Sequence, residues 1–112
     1  QQLYEIGVRI LFVCGGKTFL WQDGEKTLRD LVVEAKAMGF LIVNVVTNGT
    51  HPIDLPEADL ILLSLDGDRE RHNIIRGDTY DRIMKNIDHA TADNICFYMA
   101  VNQINKIYRY FY

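Results

Sequence analysis

Four runs of the chain are apolar and rich in β-branched residues: Val8–Cys14 (VRILFVC), Leu41–Thr47 (LIVNVVT), Asp59–Leu65 (DLILLSL) and Ile95–Asn102 (ICFYMAVN). Most are nearly continuous rather than alternating, the pattern of strands buried on both faces of a parallel sheet. Between the first two, Leu28, Leu31, Val32, Ala35 and Met38 fall on one helical stripe, with Glu25, Arg29, Glu34 and Lys36 mainly off it. This predicts a helix from Glu25 to Met38, closed by Gly39 as a left-handed cap. A second helix is predicted over Tyr80 to Ala90, with Tyr80, Ile83, Met84 and Ile87 inward and Asp78 or Thr79 as its N-cap. The stretch from Gly49 to Pro56 holds both prolines and reads as a loop.

Helix-sized links between most of the buried strands imply βαβ units, hence a parallel α/β sheet. The link from the second run to the third is short, so that crossover must be abbreviated. No repeat, linker or low-complexity tract divides the chain, and residues 1–112 read as one domain. The aromatic C-terminus NKIYRYFY begins like a helix with something to pack on. The opening QQLYEIG carries neither an initiator Met nor a signal-peptide pattern, and together with the abrupt end it predicts a piece of a longer protein.

Composition narrows the classes of function. Hydrophobic residues are 48% and charged residues 24%, which is globular composition rather than disordered. A net charge of −3 argues against general nucleic-acid binding, which needs a basic face. No apolar run approaches the roughly 20 residues of a membrane span. The two cysteines, Cys14 and Cys96, do not make a disulfide scaffold, and a reducing, cytoplasmic setting is the default.

Candidate chemistry gathers at the strand ends. Gly15-Gly16-Lys17-Thr18 follows the first run, Thr47-Asn48-Gly49-Thr50 the second, and Ser64-Leu65-Asp66-Gly67 the third. Asn102-Gln103-Ile104-Asn105 follows the fourth. In parallel α/β folds these ends share one rim, where ligands bind. Taken singly, each motif is also an ordinary strand terminator.

GGKT after an apolar strand invites a phosphate-loop reading, and LILLSLD resembles a strand ending in a magnesium-binding Asp. The loop's first glycine is missing, however, because Leu11 stands there. The tract FLWQDG also delays the helix that should face the phosphates. Metal binding has no support in spacing: Cys14 and Cys96 are far apart, and His51, His72 and His89 show no paired-ligand pattern. A Cys14–histidine nucleophile pair is conceivable, with nothing to fix its distance. The run Asp68-Arg69-Glu70-Arg71-His72-Asn73 reads as a solvated face, and Arg76 as a surface residue or a fork for a carboxylate.

In order, these pieces resemble the core of radical S-adenosylmethionine enzymes, from about Ile6 to Asn105. VRILFVCGGKTFLWQDG resembles the strand ending in Gly-Gly-Glu-Pro, and VVTNGT the strand ending in Thr-Asn-Gly-Thr. ADLILLSLDGDRERHNIIRGDTYDRIMKNI resembles the Ser-Leu-Asp-Gly strand with its later His and Arg-Gly. AVNQIN resembles the Val-Asn-x-x-Asn strand. The resemblance implies a partial (β/α) barrel with about four parallel strands and flanking helices, strands two to five of the family core. The family's Cys-x-x-x-Cys-x-x-Cys loop, which holds a [4Fe–4S] cluster, and the strand before it would lie outside this chain. The family's activity is reductive cleavage of S-adenosylmethionine to a 5′-deoxyadenosyl radical that abstracts hydrogen. A small-molecule or peptide substrate and an electron donor are its implied partners.

Carried over by position, Gly15 and Gly16 would approach the methionine amino group, and Thr47 and Ser64 would present hydroxyls to the ribose or methionine. Arg76 would take the carboxylate, and Asn102 would contact ribose or adenine. Asp66 and Asn48 would hold turns. Lys17-Thr18 replaces the family's Glu-Pro, and a lysine there repels an ammonium group. An inactive binding or scaffold domain of the same descent is therefore the second reading, and a degenerate phosphate-loop protein the third. Alone, the 112 residues cannot assemble the cluster, and their open sheet edges predict self-association.

Overall fold

The computed structural model describes residues 1–15, 17–91 and 93–98. A short helix α1 (Gln2–Glu5) leads to strand β1 (Ile10–Val13), then to a 3-10 turn at Thr18–Leu20. A small antiparallel hairpin follows, β2 (Gln22–Asp23) and β3 (Lys26–Thr27), and runs into helix α2 (Leu28–Met38). Then come β4 (Ile42–Thr47), β5 (Leu60–Ser64), α3 (Arg69–Arg76), α4 (Tyr80–His89) and β6 (Ile95–Tyr98). The main sheet has the order β1-β4-β5-β6, parallel throughout.

This is the expected α/β architecture with four parallel strands and flanking helices. Its strands lie side by side in the order in which the chain supplies them. A doubly wound sheet would reverse that order at a switch point, whereas a (β/α) barrel wall would not.

One face of the sheet carries the core. Val43 and Val45 of β4 and Ile61 of β5 are fully buried against Leu28, Val32 and Ala35 of α2, with Phe40, Leu55 and Ala58 closing the cluster. Leu63 continues it toward Ile83 of α4 and Ile53. Burying side chains of this size stabilises by about 1.5–3 kcal/mol each before entropy is charged against it. No helix lies between β4 and β5. Buried Ile53, Leu55 and Ala58 do a helix's work there, and Asn94 fastens the segment by donating from Nδ2 to the carbonyls of Leu55 (3.0 Å) and Ala58 (2.9 Å). The abbreviated crossover is thus a loop with its own core residues.

Three local expectations are corrected. Helix α2 begins at Leu28 rather than Glu25, because Asp23-Gly24-Glu25-Lys26 turns the hairpin, with Gly24 at φ 62°. Thr27 then caps the helix, its N–H donating to Asp30 Oδ2 at 2.8 Å, a reciprocal cap written as T-x-x-D. The stretch 68–73 is not merely a solvated face: Asp68 accepts from the Arg71 N–H at 3.0 Å and starts α3. Neither Asp78 nor the Thr79 side chain caps α4. Asn73 does so from the preceding helix, its Oδ1 accepting from the N–H groups of Thr79 (3.2 Å) and Tyr80 (3.0 Å).

Burial also differs from expectation. The strand sequences suit two buried faces, but the helix-free face leaves Ile10, Phe12, Ile42 and Leu60 between 38% and 57% exposed. The fourth run continues beyond Tyr98 into residues outside those described, as does the aromatic C-terminus. No helix among the described residues is long and apolar enough to cross a membrane.

Gly49 is a sharp test of this packing. It sits at φ 76°, and a Cβ there would lie 2.4 Å from Leu63 Cδ1 and 3.3 Å from Ile83 Cγ2. Left-handed backbone and overpacking act together, so Gly49→Ala is expected to cost about 1–3 kcal/mol. Urea denaturation would read it as a lower midpoint at unchanged slope; an unaltered midpoint would refute the close approach.

Candidate functional site

Parallel pairing brings the C-terminal ends of β1, β4 and β5 to one rim. Gly15 lies there after β1. Gly16 and Asn102 lie outside the described residues. The remaining candidates divide between the two faces of the sheet. Thr47 pairs in register with Leu63, on the helix-covered face, and its Oγ1 accepts from the Gly49 N–H at 3.2 Å. Its hydroxyl therefore serves the turn. Ser64 stands next in sequence to Leu63 and so on the opposite, helix-free face, 7% exposed, with no partner for its hydroxyl among the described residues. The structure does not bring Thr47 and Ser64 together on one face.

Ser64 is instead grouped with Asp66 and Arg76. The turn after β5 buries Asp66 completely, and Arg76, at the end of α3, donates from Nε to Asp66 Oδ2. This pairing offsets the cost of a buried carboxylate. It also spends only one of the guanidinium's nitrogens, and the Arg76 side chain is 27% exposed. The two terminal nitrogens, the fork that binds carboxylates, have no protein partner among the described residues.

His72 is a functional neighbour that a solvated reading of 68–73 conceals. It is fully buried; its Nδ1 accepts from the Asp66 N–H at 3.3 Å and its Nε2 lies 2.9 Å from Thr79 Oγ1. An Nδ1 that accepts fixes the neutral tautomer with its hydrogen on Nε2, which donates to Thr79. Burial pushes the imidazole below its ordinary pKa, the Asp66 charge opposes that shift, and Arg76 reinforces it. One helix thus supplies both groups that hold Asp66, His72 at its backbone and Arg76 at its carboxylate. The sequence signal was the spacing: His72 and Arg76 are four apart, so a helix stacks them on one face.

The loop after β1 is built differently from a phosphate loop. Thr18 is buried, and its hydroxyl donates to the Val46 carbonyl at 2.7 Å, tying the loop to the end of β4. The 3-10 turn and the hairpin then separate it from α2. No helix N-terminus stands at Gly15 to Thr18, and the hydroxyl that would meet magnesium is spent on the backbone. Lys17 is exposed, at the mouth of a cleft of about 450 Å³ lined by Val13, Cys14, Gly15, Trp21 and Leu31 among others.

Cys14 is exposed and Cys96 half-buried, and both are free thiols. No group of three or more His, Cys, Asp or Glu among the described residues could hold a metal ion. Comparison with family models, curated proteins and solved structures gives no match.

The His72 geometry predicts a pH dependence of stability. With the folded pKa lowered, the unfolded chain binds a proton that the folded chain refuses. Stability should be level above about pH 6.5 and fall as the pH drops below it. Asp30 and Asp59, held below the ordinary carboxylate range by the N–H groups of Thr27 and Val43, act at more acid pH. In His72→Gln the loss between pH 6.5 and 5 should flatten. Equal slopes in the two proteins would show that His72 does not refuse the proton.

Proposed function

We propose that this chain is part of a radical S-adenosylmethionine enzyme core, and that its rim contributes the contacts to the methionine end of that molecule. The observation that supports the reading best is the Ser64-Asp66-Arg76 group: a buried carboxylate positions an arginine fork beside an unpartnered hydroxyl at a strand end. S-adenosylmethionine offers a carboxylate to the fork and hydroxyl or amine groups to Ser64. Asp66 acts through Arg76 as a positioning residue, and His72 holds the turn that carries it. Gly15 leaves the end of β1 open to close approach.

The residues of this chain do not fit a [4Fe–4S] cluster. Two separate thiols cannot supply its three protein ligands. Its ligands and the reductive cleavage they support would come from outside these residues, along with the electron donor. The scaffold reading draws on Lys17, whose charge faces the same end of the molecule, and on Thr18, whose hydroxyl is already used.

Equilibrium dialysis of labelled S-adenosylmethionine against the purified chain tests the proposal without the cluster. Saturable binding is expected, weakened about tenfold or more by Arg76→Ala, since a charged hydrogen bond is worth about 1.5–3 kcal/mol. Ser64→Ala should weaken it by a smaller factor. Circular dichroism establishes that each variant is folded. Absence of saturable binding, or equal affinity in a folded Arg76→Ala variant, would sink the assignment and leave the scaffold reading.

A further inference from the structure

We infer that two copies of this chain pair edge to edge, β1 of each against β6 of the other, and close an eight-stranded parallel barrel around the helix-free face. The inference does not rest on the proposed ligand. It starts from the mismatch between strand sequence and burial. None of the residues in β1, β4, β5 or β6 is charged, and none is proline. Edge strands that stay unpaired are ordinarily blunted by such residues, and β1 (ILFV) and β6 (ICFY) are not.

The face between those edges is equally unprotected. Ile10, Phe12, Ile42 and Leu60 are exposed on it, flanked by half-buried Val46 and Leu62. In its midst, Asn44 is 5% exposed, and its buried Oδ1 has no partner in the structure. An orphan carbonyl costs about 1–3 kcal/mol, which suits a face completed from outside.

A second copy is the occupant whose geometry fits every open surface at once. The four strands are parallel and all covering helices lie on one side. A two-fold axis along the barrel centre therefore keeps all eight strands parallel and makes the two junctions identical. It turns both helix layers outward and both apolar faces inward. Eight strands give an interior that side chains can fill. A closed two-fold arrangement leaves no edge, whereas the same contacts without closure would build filaments.

Sedimentation equilibrium of the full chain over a wide concentration range tests this. A single species of twice the chain mass is expected. Phe12→Lys, which places a charge inside the barrel but at an exposed site of the single copy, should reduce it to a folded monomer. Ile74→Lys, an equally apolar exposed site on α3, should leave the mass unchanged. Should Phe12→Lys fail to fold, Ile10→Lys replaces it, and amide exchange in the unsubstituted protein gives an independent reading. Amides of β1 and β6 are expected to exchange slowly in the dimer and faster on dilution. A monomer at all concentrations, a dimer that survives both lysine variants, or open-ended oligomers that grow with concentration would each overturn the closed barrel.

Discussion

Val43, Val45, Ile61 and Leu63 pressed against α2 and α4 are the contact on which the rest of the molecule depends. These residues come from the two central strands and alternate with the side chains of the other face. Once they are buried, the register of β4 on β5 is settled, because a slip of one residue would carry the whole set to the other face. That register in turn decides that Thr47 ends on the helix side and Ser64 on the open side.

The polar elements of the rim are arranged around that core and not in competition with it. Asp66 is buried immediately beyond β5, and α3 supplies both groups that make its burial tolerable. Helix α3 is itself held at both ends by short side chains. Asp68 caps its start, and Asn73 spends its Oδ1 on the first amides of α4. The rim is therefore coupled to α4 and its Ile83, and hence to the core that Gly49 must clear. A strand-end turn becomes a rigid platform only through such couplings, and a rigid platform is what a ligand fork needs.

Much of the architecture was legible because burial and local chemistry agreed. Continuous apolar runs, a stripe at helical spacing and Gly39 at φ 110° each had one economical interpretation. Where reading failed, a local pattern was outweighed by a partner distant in sequence or in an unexpected element. The Asp68–Asn73 stretch looks solvated by composition, yet His72 is buried because Asp66 and Thr79 satisfy both ring nitrogens. Glu25 looks helical by propensity, yet Gly24 and the Thr27 cap place it in a hairpin.

The sequence by itself determined the strands, the two main helices, the parallel α/β class and the convergence of the strand ends, because periodicity, caps and connection lengths are local properties. It also contained the helix spacing of His72 and Arg76. Only the tertiary structure decided which hydroxyl faces which side of the sheet, that Arg76 is held by Asp66, and that one apolar face lies open. Those outcomes depend on register and on contacts between segments far apart in the chain, which composition and spacing do not encode.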